Sequence, residues 1–173
     1  MLKHPSVRAS AARLSLVGLM SLGDSTLSFM GDGVDPVAER EFEKYFFVEK
    51  GERLSPNDPT GIVIGQGLAD NLGAKVGDKL VLTVTTAKGG MNGHDVHIRG
   101  IFFTSEKAYD DGAIQLPIEL ARKLIRVEGA SSWLVVLDET EKTDAVLKDL
   151  RPMFDPKSFE LAPWYELADF YNK

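Results

Sequence analysis

The chain contains no cysteine, so disulfides and cysteine-ligated metals are excluded. A cysteine-free composition fits an extracytoplasmic location without establishing it. Basic runs are missing as well. Twenty Lys and Arg stand against 26 Asp and Glu, giving a net charge of −6 and a pI near 5.1. That balance argues against a nucleic-acid partner. No hydrophobic run approaches the roughly 18 residues needed to span a bilayer. The longest early run, Leu14 to Met20, is broken by Ser15 and Gly18 and is too short for a signal-peptide core. The sequence therefore reads as soluble and without a signal peptide. It shows no internal repeat and no low-complexity tract.

What is present is enough for a core. At 173 residues with 43% hydrophobic side chains, the chain is one domain or two small subdomains sharing a core. Its organising stretch is Gly61 to Thr104. Ile62 to Ile64 is a β-branched run, Gly65 and Gly67 turn the chain, and Leu68 to Leu72 supplies about two turns of helix. Gly73 stops that helix. Val76-Gly77-Asp78 then bends into a strand over Lys79 to Thr85, where Leu80, Leu82 and Val84 alternate with Lys79, Val81 and Thr83. Gly89-Gly90 through Asn92-Gly93 punctuates a hairpin, and Asp95 to Phe103 is its return strand.

Around this unit the pattern is mixed. Residues 1–11 read as a polar lead-in. Ala12 to Ser21 and Ser25 to Gly31 form a hairpin turning at Leu22-Gly23-Asp24, with Leu27 and Phe29 on one face and Ser28 and Met30 on the other. Asp35 caps a helix opened by Pro36, whose apolar face carries Ala38, Phe42, Tyr45 and Phe46. Glu49 to Thr60 reads as a loop, as does Ser105 to Gly112. Ala113 to Leu116 is a short strand. Pro117 opens a helix bearing Ile118, Ala121, Leu124 and Ile125, closed by Gly129. Trp133 to Leu137 is almost wholly apolar and reads as a central strand buried on both faces. Asp138-x-x-Glu141 resembles a capping box before a helix with Val146, Leu147, Leu150 and Phe154 inside; Pro152 lies near its end. Trp164, Leu167, Ala168 and Tyr171 lie at helical spacing. The fold class is α+β with mixed sheets. The pattern divides the chain into residues 1–60 and 104–173, an α/β part, around an inserted β-rich unit of 61–103 with one short helix.

Candidate chemistry is sparse. Gly65-Gln66-Gly67 invites a dinucleotide reading, but Asp70 occupies the place of the third glycine, where a carboxylate repels a pyrophosphate. Gly73 to Lys79 departs from a P-loop in glycine spacing and lacks a Ser or Thr after Lys79. His94 and His97 point to opposite faces of a strand, and His4 is remote, so zinc is disfavoured. Asp32 with Asp35, and Asp110 with Asp111, lack the spacing of a calcium loop. No nucleophile motif occurs, and nothing selects an acid/base pair from the 26 acidic residues. No catalytic, cofactor-binding or metal-binding residue is therefore assigned.

Several segments occur in a telling order: Gly31-Asp-Gly-Val-Asp-Pro-Val-Ala-Glu39, Val48 to Leu54, Gly61 to Leu80 and Val96-His-Ile-Arg-Gly-Ile-Phe102. Together they resemble the extracytoplasmic core domain of ABC-transporter permeases of the MacB, LolC/LolE and FtsX-like superfamily, over about His4 to Tyr171. Glu52 before Arg53 interrupts the family's "G-R" element. The resemblance implies a segment lying between the first and second of four transmembrane helices, missing an early family strand and helix, with Trp164 to Tyr171 approaching the second membrane helix. It implies a porter-like lobe of β-α-β units, a smaller lobe supplied by 61–103, and placement outside the inner membrane. The implied partners are the permease's own transmembrane helices, a second protomer, a cytoplasmic ATPase acting through the membrane part, and a periplasmic adaptor, lipoprotein or peptide. The implied role is mechanical: ATP-driven closure moves the outer domains, and no catalytic residue is expected. Two other readings compete. One is a stand-alone extracytoplasmic binding module. The other is a small barrel-containing cofactor enzyme, which requires a polar, cofactor-sized pocket.

Overall fold

A computed structural model describes residues 4–40 and 47–168. Among these residues, eight strands and five short helices follow in the order β1 (Val7–Leu22), β2 (Ser25–Val34), β3 (Phe47–Gly51), β4 (Gly61–Gly65), α1 (Gln66–Leu72), β5 (Lys79–Thr85), β6 (Met91–Phe103), α2 (Lys107–Asp110), β7 (Ala113–Pro117), α3 (Ile118–Ile125), β8 (Ser132–Leu137), α4 (Thr143–Leu150) and α5 (Trp164–Ala168). By contacts the chain forms two compact units, 11–134 and 1–10 with 135–173.

In the larger unit, six strands close a ring. The order β2-β7-β4-β6-β5-β1 returns to its start because β1 pairs β2 along one edge and β5 along the other. The β2–β7 and β4–β6 pairs are parallel and the rest antiparallel, so the expected mixture of pairings is observed. Ring closure removes the unpaired edges that an open sheet of these strands would expose. β3 continues beside β6 beyond the reach of β5. β8 follows β1: the Ser131 N–H donates to the Arg13 carbonyl at 2.8 Å, and the Asp138 N–H to the Ser6 carbonyl at 3.0 Å.

Alternation places the core. Leu80, Leu82 and Val84 of β5, Val96 and Ile98 of β6, Leu14, Leu16 and Met20 of β1 and Phe29 of β2 join one buried cluster. Leu68, Ala69 and Leu72 of α1 and Leu120, Ala121 and Leu124 of α3 complete it. Each buried Leu or Ile contributes about 1.5–3 kcal/mol relative to exposure. Gly33 lets β2 approach α3: a Cβ there would lie 2.5 Å from the Ala121 Cβ. A second cluster lies on the other face of the strands. Val63, Phe102 and Ala113 are buried there beneath Val48, Leu54 and Tyr109.

Local expectations hold where the signal is local. β5 spans Lys79–Thr85, and α1 ends at Gly73 in the left-handed region with φ 69°. The Asp35 carboxylate accepts from the Val37 and Ala38 N–H groups at 2.8 and 3.2 Å. Ala38 to Arg40 is a 3-10 turn, and the rest of the helix expected there, through Phe42, Tyr45 and Phe46, lies outside the described residues.

Other expectations are corrected. The lead-in is shorter, since β1 already runs from Val7; alternation there is masked by polar residues. Part of the expected loop from Glu49 is the end of β3, whose pairing with β6 no local pattern announces. The hairpin turns at Thr86 to Gly90, where Thr86 N–H bonds the Gly90 carbonyl at 2.7 Å, so Asn92 and Gly93 already belong to β6. The loop after β6 contains the single turn α2. α3 is closed by Arg126, itself in the left-handed region at φ 58°, ahead of Gly129.

Two further corrections concern the C-terminal part. β8 is not buried on both faces: Trp133 is 56% and Val135 38% exposed, and among the described residues the strand has a single strand neighbour, β1. The Asp138-x-x-Glu141 capping box does not form, since a 3-10 turn over Thr140–Lys142 intervenes and α4 begins at Thr143. In the smaller unit Val146 and Leu150 of α4 are buried, and the Phe154 and Phe159 rings meet edge to face at 5.4 Å. α5 covers the start of the last expected helix, and residues 169–173 lie outside the described part. The sequence-based boundaries at 60/61 and 103/104 fall inside the larger unit, where β4 pairs β7 and β3 pairs β6.

Candidate functional site

The glycines of the Gly65-Gln66-Gly67 stretch make room for protein and not for a phosphate. A Cβ at Gly65 would collide with the Asp110 carbonyl oxygen, and one at Gly67 with the Asp111 carboxylate. α2 therefore occupies the space a pyrophosphate would need. Gln66 donates to Asp70 at 2.6 Å and accepts from Lys50 at 3.3 Å. The Gly73 to Lys79 stretch is a turn: Asp78 accepts from the Lys75 N–H at 2.8 Å, and Lys79 is the exposed first residue of β5.

The acidic pairs are also engaged. Asp110 is buried, and its carboxylate accepts from the Thr104 N–H at 3.0 Å and the Thr104 hydroxyl at 2.8 Å. That clamp fixes the turn from β6 into α2. Asp111 pairs with Lys107 at 2.7 Å. Asp32 accepts from Ser15 Oγ at 3.3 Å and from the Tyr109 hydroxyl at 3.4 Å. Burial and the adjacent Asp32 charge push the Tyr109 phenol up to about 12. Nearby, Arg13 makes a two-pronged pair with Glu39 at 3.0 and 2.9 Å.

The histidines do not converge. His94 stands opposite Leu82 and His97 opposite Lys79 on β5, so they face opposite sides of β6. His4, in the smaller unit, lies 3.5 Å from Asp149. Among the described residues no cluster of three or more His, Asp or Glu is placed to hold a metal ion.

His97 belongs to a network that sequence reasoning missed. Its Nε2 lies 2.9 Å from Asp58 Oδ2, which also accepts from the Arg99 guanidinium at 3.1 Å. Asp58 Oδ1 accepts from the Gly61 N–H at 3.0 Å. Arg99 donates further to the Arg53 carbonyl at 2.6 Å and pairs with Glu52. Burial pushes the Asp58 carboxyl up, but the hydrogen bond and charge of His97, with the hydrogen bonds from Arg99 and the Gly61 N–H, outweigh it and hold the pKa below its ordinary value. The network straps the segment from Glu52 to Gly61 onto β6. The H-x-R spacing that puts His97 and Arg99 on one strand face was visible; their acidic partner, 39 residues from His97, was not.

A surface depression of about 600 Å³ is lined by Glu119, Arg122, Lys123, Arg126, Val127 and Glu128 at the end of α3. Arg122 is committed to Glu119 at 2.6 Å and to the Gly129 carbonyl at 3.1 Å. Among the described residues no buried side-chain nitrogen or oxygen lacks a hydrogen-bond partner.

The outer side of the ring differs along its length. Around Val63, Phe102 and Ala113 it is covered by β3, the strapped segment and α2. Beyond Ala113 the cover ends. Met30, beside Ala113 in the parallel β2–β7 register, is 54% exposed; Val17, opposite Met30 on β1, is 70% exposed and Leu19 46%.

Comparison with known proteins gives the following. A family profile described as the MacB-like periplasmic core domain matches residues 2–153. Among curated protein sequences nothing matches. The extracellular domain of the noncanonic ABC-type transporter YknZ from Gram-positive bacteria superimposes with a TM-score of 0.64 at 11% identity, covering 82% of this chain and 71% of that one. The periplasmic region of MacB from Actinobacillus actinomycetemcomitans gives 0.64 at 11% identity, covering 87% of this chain and 67% of that one.

Proposed function

We propose a function from the premise that this chain belongs to the MacB-like periplasmic core domain family, whose profile spans residues 2–153. It is accordingly the extracytoplasmic domain of an ABC transporter permease, a transporter domain and not an enzyme. The finer reading is mechanical. The domain sits outside the inner membrane and is carried by the permease's transmembrane helices. It passes on motion driven by a cytoplasmic ATPase to a second protomer, a periplasmic adaptor, or a lipoprotein or peptide substrate.

The observation that best supports this role is the closed ring of β1, β2, β7, β4, β6 and β5. A ring whose every strand is bonded on both sides resists shear and moves as one piece, which suits force transfer better than ligand turnover. The division at 61–103 is kept as part of this proposal in a functional sense. The stretch from β4 through β6 presents its own outer surface while folding within the larger unit.

The test is the gene on either side of this sequence. The reading expects a hydrophobic run of about 20 residues upstream and another downstream, and fractionation of the full-length product with the inner membrane. A full-length product that is exported and soluble would instead support the stand-alone binding module.

A further inference from the structure

The depression at the end of α3 gathers cations in an acidic chain. Arg122, Lys123 and Arg126 line it with Glu119, Val127 and Glu128, in a molecule of net charge −6. Glu119 is already paired with Arg122 at 2.6 Å. Arg122 is held a second time, through Nε, by the Gly129 carbonyl at 3.1 Å, which leaves its Nη2 edge uncommitted. Among the described residues Lys123 and Arg126 have no acidic partner, and Glu128 has no basic one.

Cations at a helix C-terminus ordinarily serve its unpaired carbonyls and its negative dipole end. Here other groups do that. The Arg122 carbonyl accepts from the Val127 N–H at 3.2 Å, and the Ile125 carbonyl from the Ala87 N–H at 3.0 Å. The Lys123 and Leu124 carbonyls both accept from Asn92 Nδ2, at 3.0 and 2.9 Å. All four last carbonyls of α3 are thus taken, none of them by a cation. The turn does not explain Arg126 either. It stands in the left-handed region at φ 58°, where glycine is the ordinary occupant of a helix stop.

We propose that this depression binds a soluble phosphorylated polyol. Arg122, Lys123 and Arg126 take the phosphate: the guanidinium edges donate paired N–H groups to its oxygens, and the ammonium adds a point charge. The unpaired Glu128 carboxylate accepts from a hydroxyl of the same molecule. It repels an anion that has no hydroxyl to donate, so it selects for a hydroxylated one. A volume of about 600 Å³ lies in the range of small-molecule sites and leaves room beyond the phosphate. Of the six lining residues only Val127 is apolar, and none is Trp or Tyr. An acyl chain finds no floor there, and a bilayer finds no interfacial aromatics.

The framework of the site is set before a ligand arrives. Asn92 of β6 and Ala87 of the β5–β6 turn tie the end of α3 to the ring, and Arg122 is oriented by Glu119 and Gly129. Binding is nonetheless modest. Lys123 and Arg126 are exposed, so salt screens them and their ordering costs side-chain entropy. A Kd on the order of a millimolar follows from a few such contacts. Nothing in this inference depends on the permease reading, and its failure leaves that reading standing.

The test is a titration of the chain in phosphate-free, low-salt buffer, read by two-dimensional amide NMR. Glycerol phosphate should shift the amides around Arg122 to Glu128 with a Kd on the order of a millimolar, more tightly than inorganic phosphate, and glycerol alone should not. Arg126→Gly should weaken binding about three- to tenfold and leave the chain at least as stable as the wild type, since glycine suits the left-handed turn. An arginine with only a structural role gives the reverse. Lys123→Gln should weaken binding by a similar factor, and Lys79→Gln, at the start of β5, should not. Glu128→Ala should bring glycerol phosphate down to the affinity of inorganic phosphate. No shifts up to about 20 mM, shifts on another surface, or affinity that survives Arg126→Gly would each overturn the proposal. So would equal binding of inorganic phosphate, an adventitious ion only, or shifts produced only by phosphatidylglycerol vesicles, which would make the ligand a lipid surface.

Discussion

Replacing Asp58 by alanine tests whether the strap from Glu52 to Gly61 is held by the carboxylate or by its hydrophobic neighbour Leu54. Asp58 accepts from Arg99 and from the Gly61 N–H, and bonds His97. Hydrogen bonds to charged groups are worth about 1.5–3 kcal/mol when shielded. Here the His97 and Arg99 side chains are 35% and 25% exposed, so water recovers part of the loss, and Arg99 keeps Glu52 and the Arg53 carbonyl. Allowing for that, the expected cost is about 2 kcal/mol. For a domain of this size this lowers Tm by about 4–8 °C. Asp58→Asn keeps an acceptor for Gly61 and should lose about half as much.

The pH dependence carries the same reasoning further. The folded pKa of Asp58 lies below its ordinary value of 3.8. The unfolded chain therefore binds the proton more tightly, and the stabilisation is complete above 3.8 and lost as pH falls through the depressed folded value. Calorimetry of the wild type and Asp58→Ala should show the full gap at neutral pH and a shrinking gap below about pH 3.5. A variant within about 0.5 kcal/mol of wild type at neutral pH, or a gap that is constant into acid, would refute the assignment of the strap to Asp58.

Other perturbations follow from the same geometry. Gly65→Ala drives a Cβ into the Asp110 carbonyl and should cost about 1–3 kcal/mol or more by chemical denaturation, well beyond the loss at Gly129, where a Cβ meets nothing within 4 Å. Leu82→Ala, fully buried in the ring, should cost about 2–5 kcal/mol on the same assay. Tyr109 should ionise near 12, above the ordinary tyrosine value of about 10, in an ultraviolet titration that Tyr109→Phe assigns. Its folded pKa is raised, so its contribution is whole below about 10 and disappears as pH climbs through the folded value; Tyr109→Phe should flatten the alkaline decline. Glu52→Gln, at the exposed end of the network, should change stability by less than about 1 kcal/mol.

What could be read from the sequence divides by range. The alternation of Leu80, Leu82 and Val84 and the stop at Gly73 are set by neighbours a few residues away, and both stand as expected. The closure of β1 on β5 joins residues more than 60 apart, such as Leu19 and Thr83. The β2–β7 pairing joins Met30 to Ala113. No period or turn residue encodes such partnerships. β8 failed for another reason: an apolar run reports that a strand is hydrophobic, not how many neighbours it has, and Trp133 is left half exposed. The same limit hid the Asp58 network, because a carboxylate in a Pro- and Asn-bearing loop looks like turn chemistry until His97 and Arg99 are found beside it. The glycines of 65–67 announce a close approach without saying to what; that it is Asp110 and Asp111 required the position of α2.

These features bear on how the ring would respond to load under the mechanical role proposed for the domain. Force entering any strand of the ring spreads through ladders on both of its edges, so no single ladder can peel while the others hold. The strap and the Asp110–Thr104 clamp then fix the connections on either side of β6, the strand that pairs with β4, β5 and β3. Rigidity is thus concentrated where the polar groups are committed to one another, at Asp58 with His97 and Arg99 and at Asp110 with Thr104.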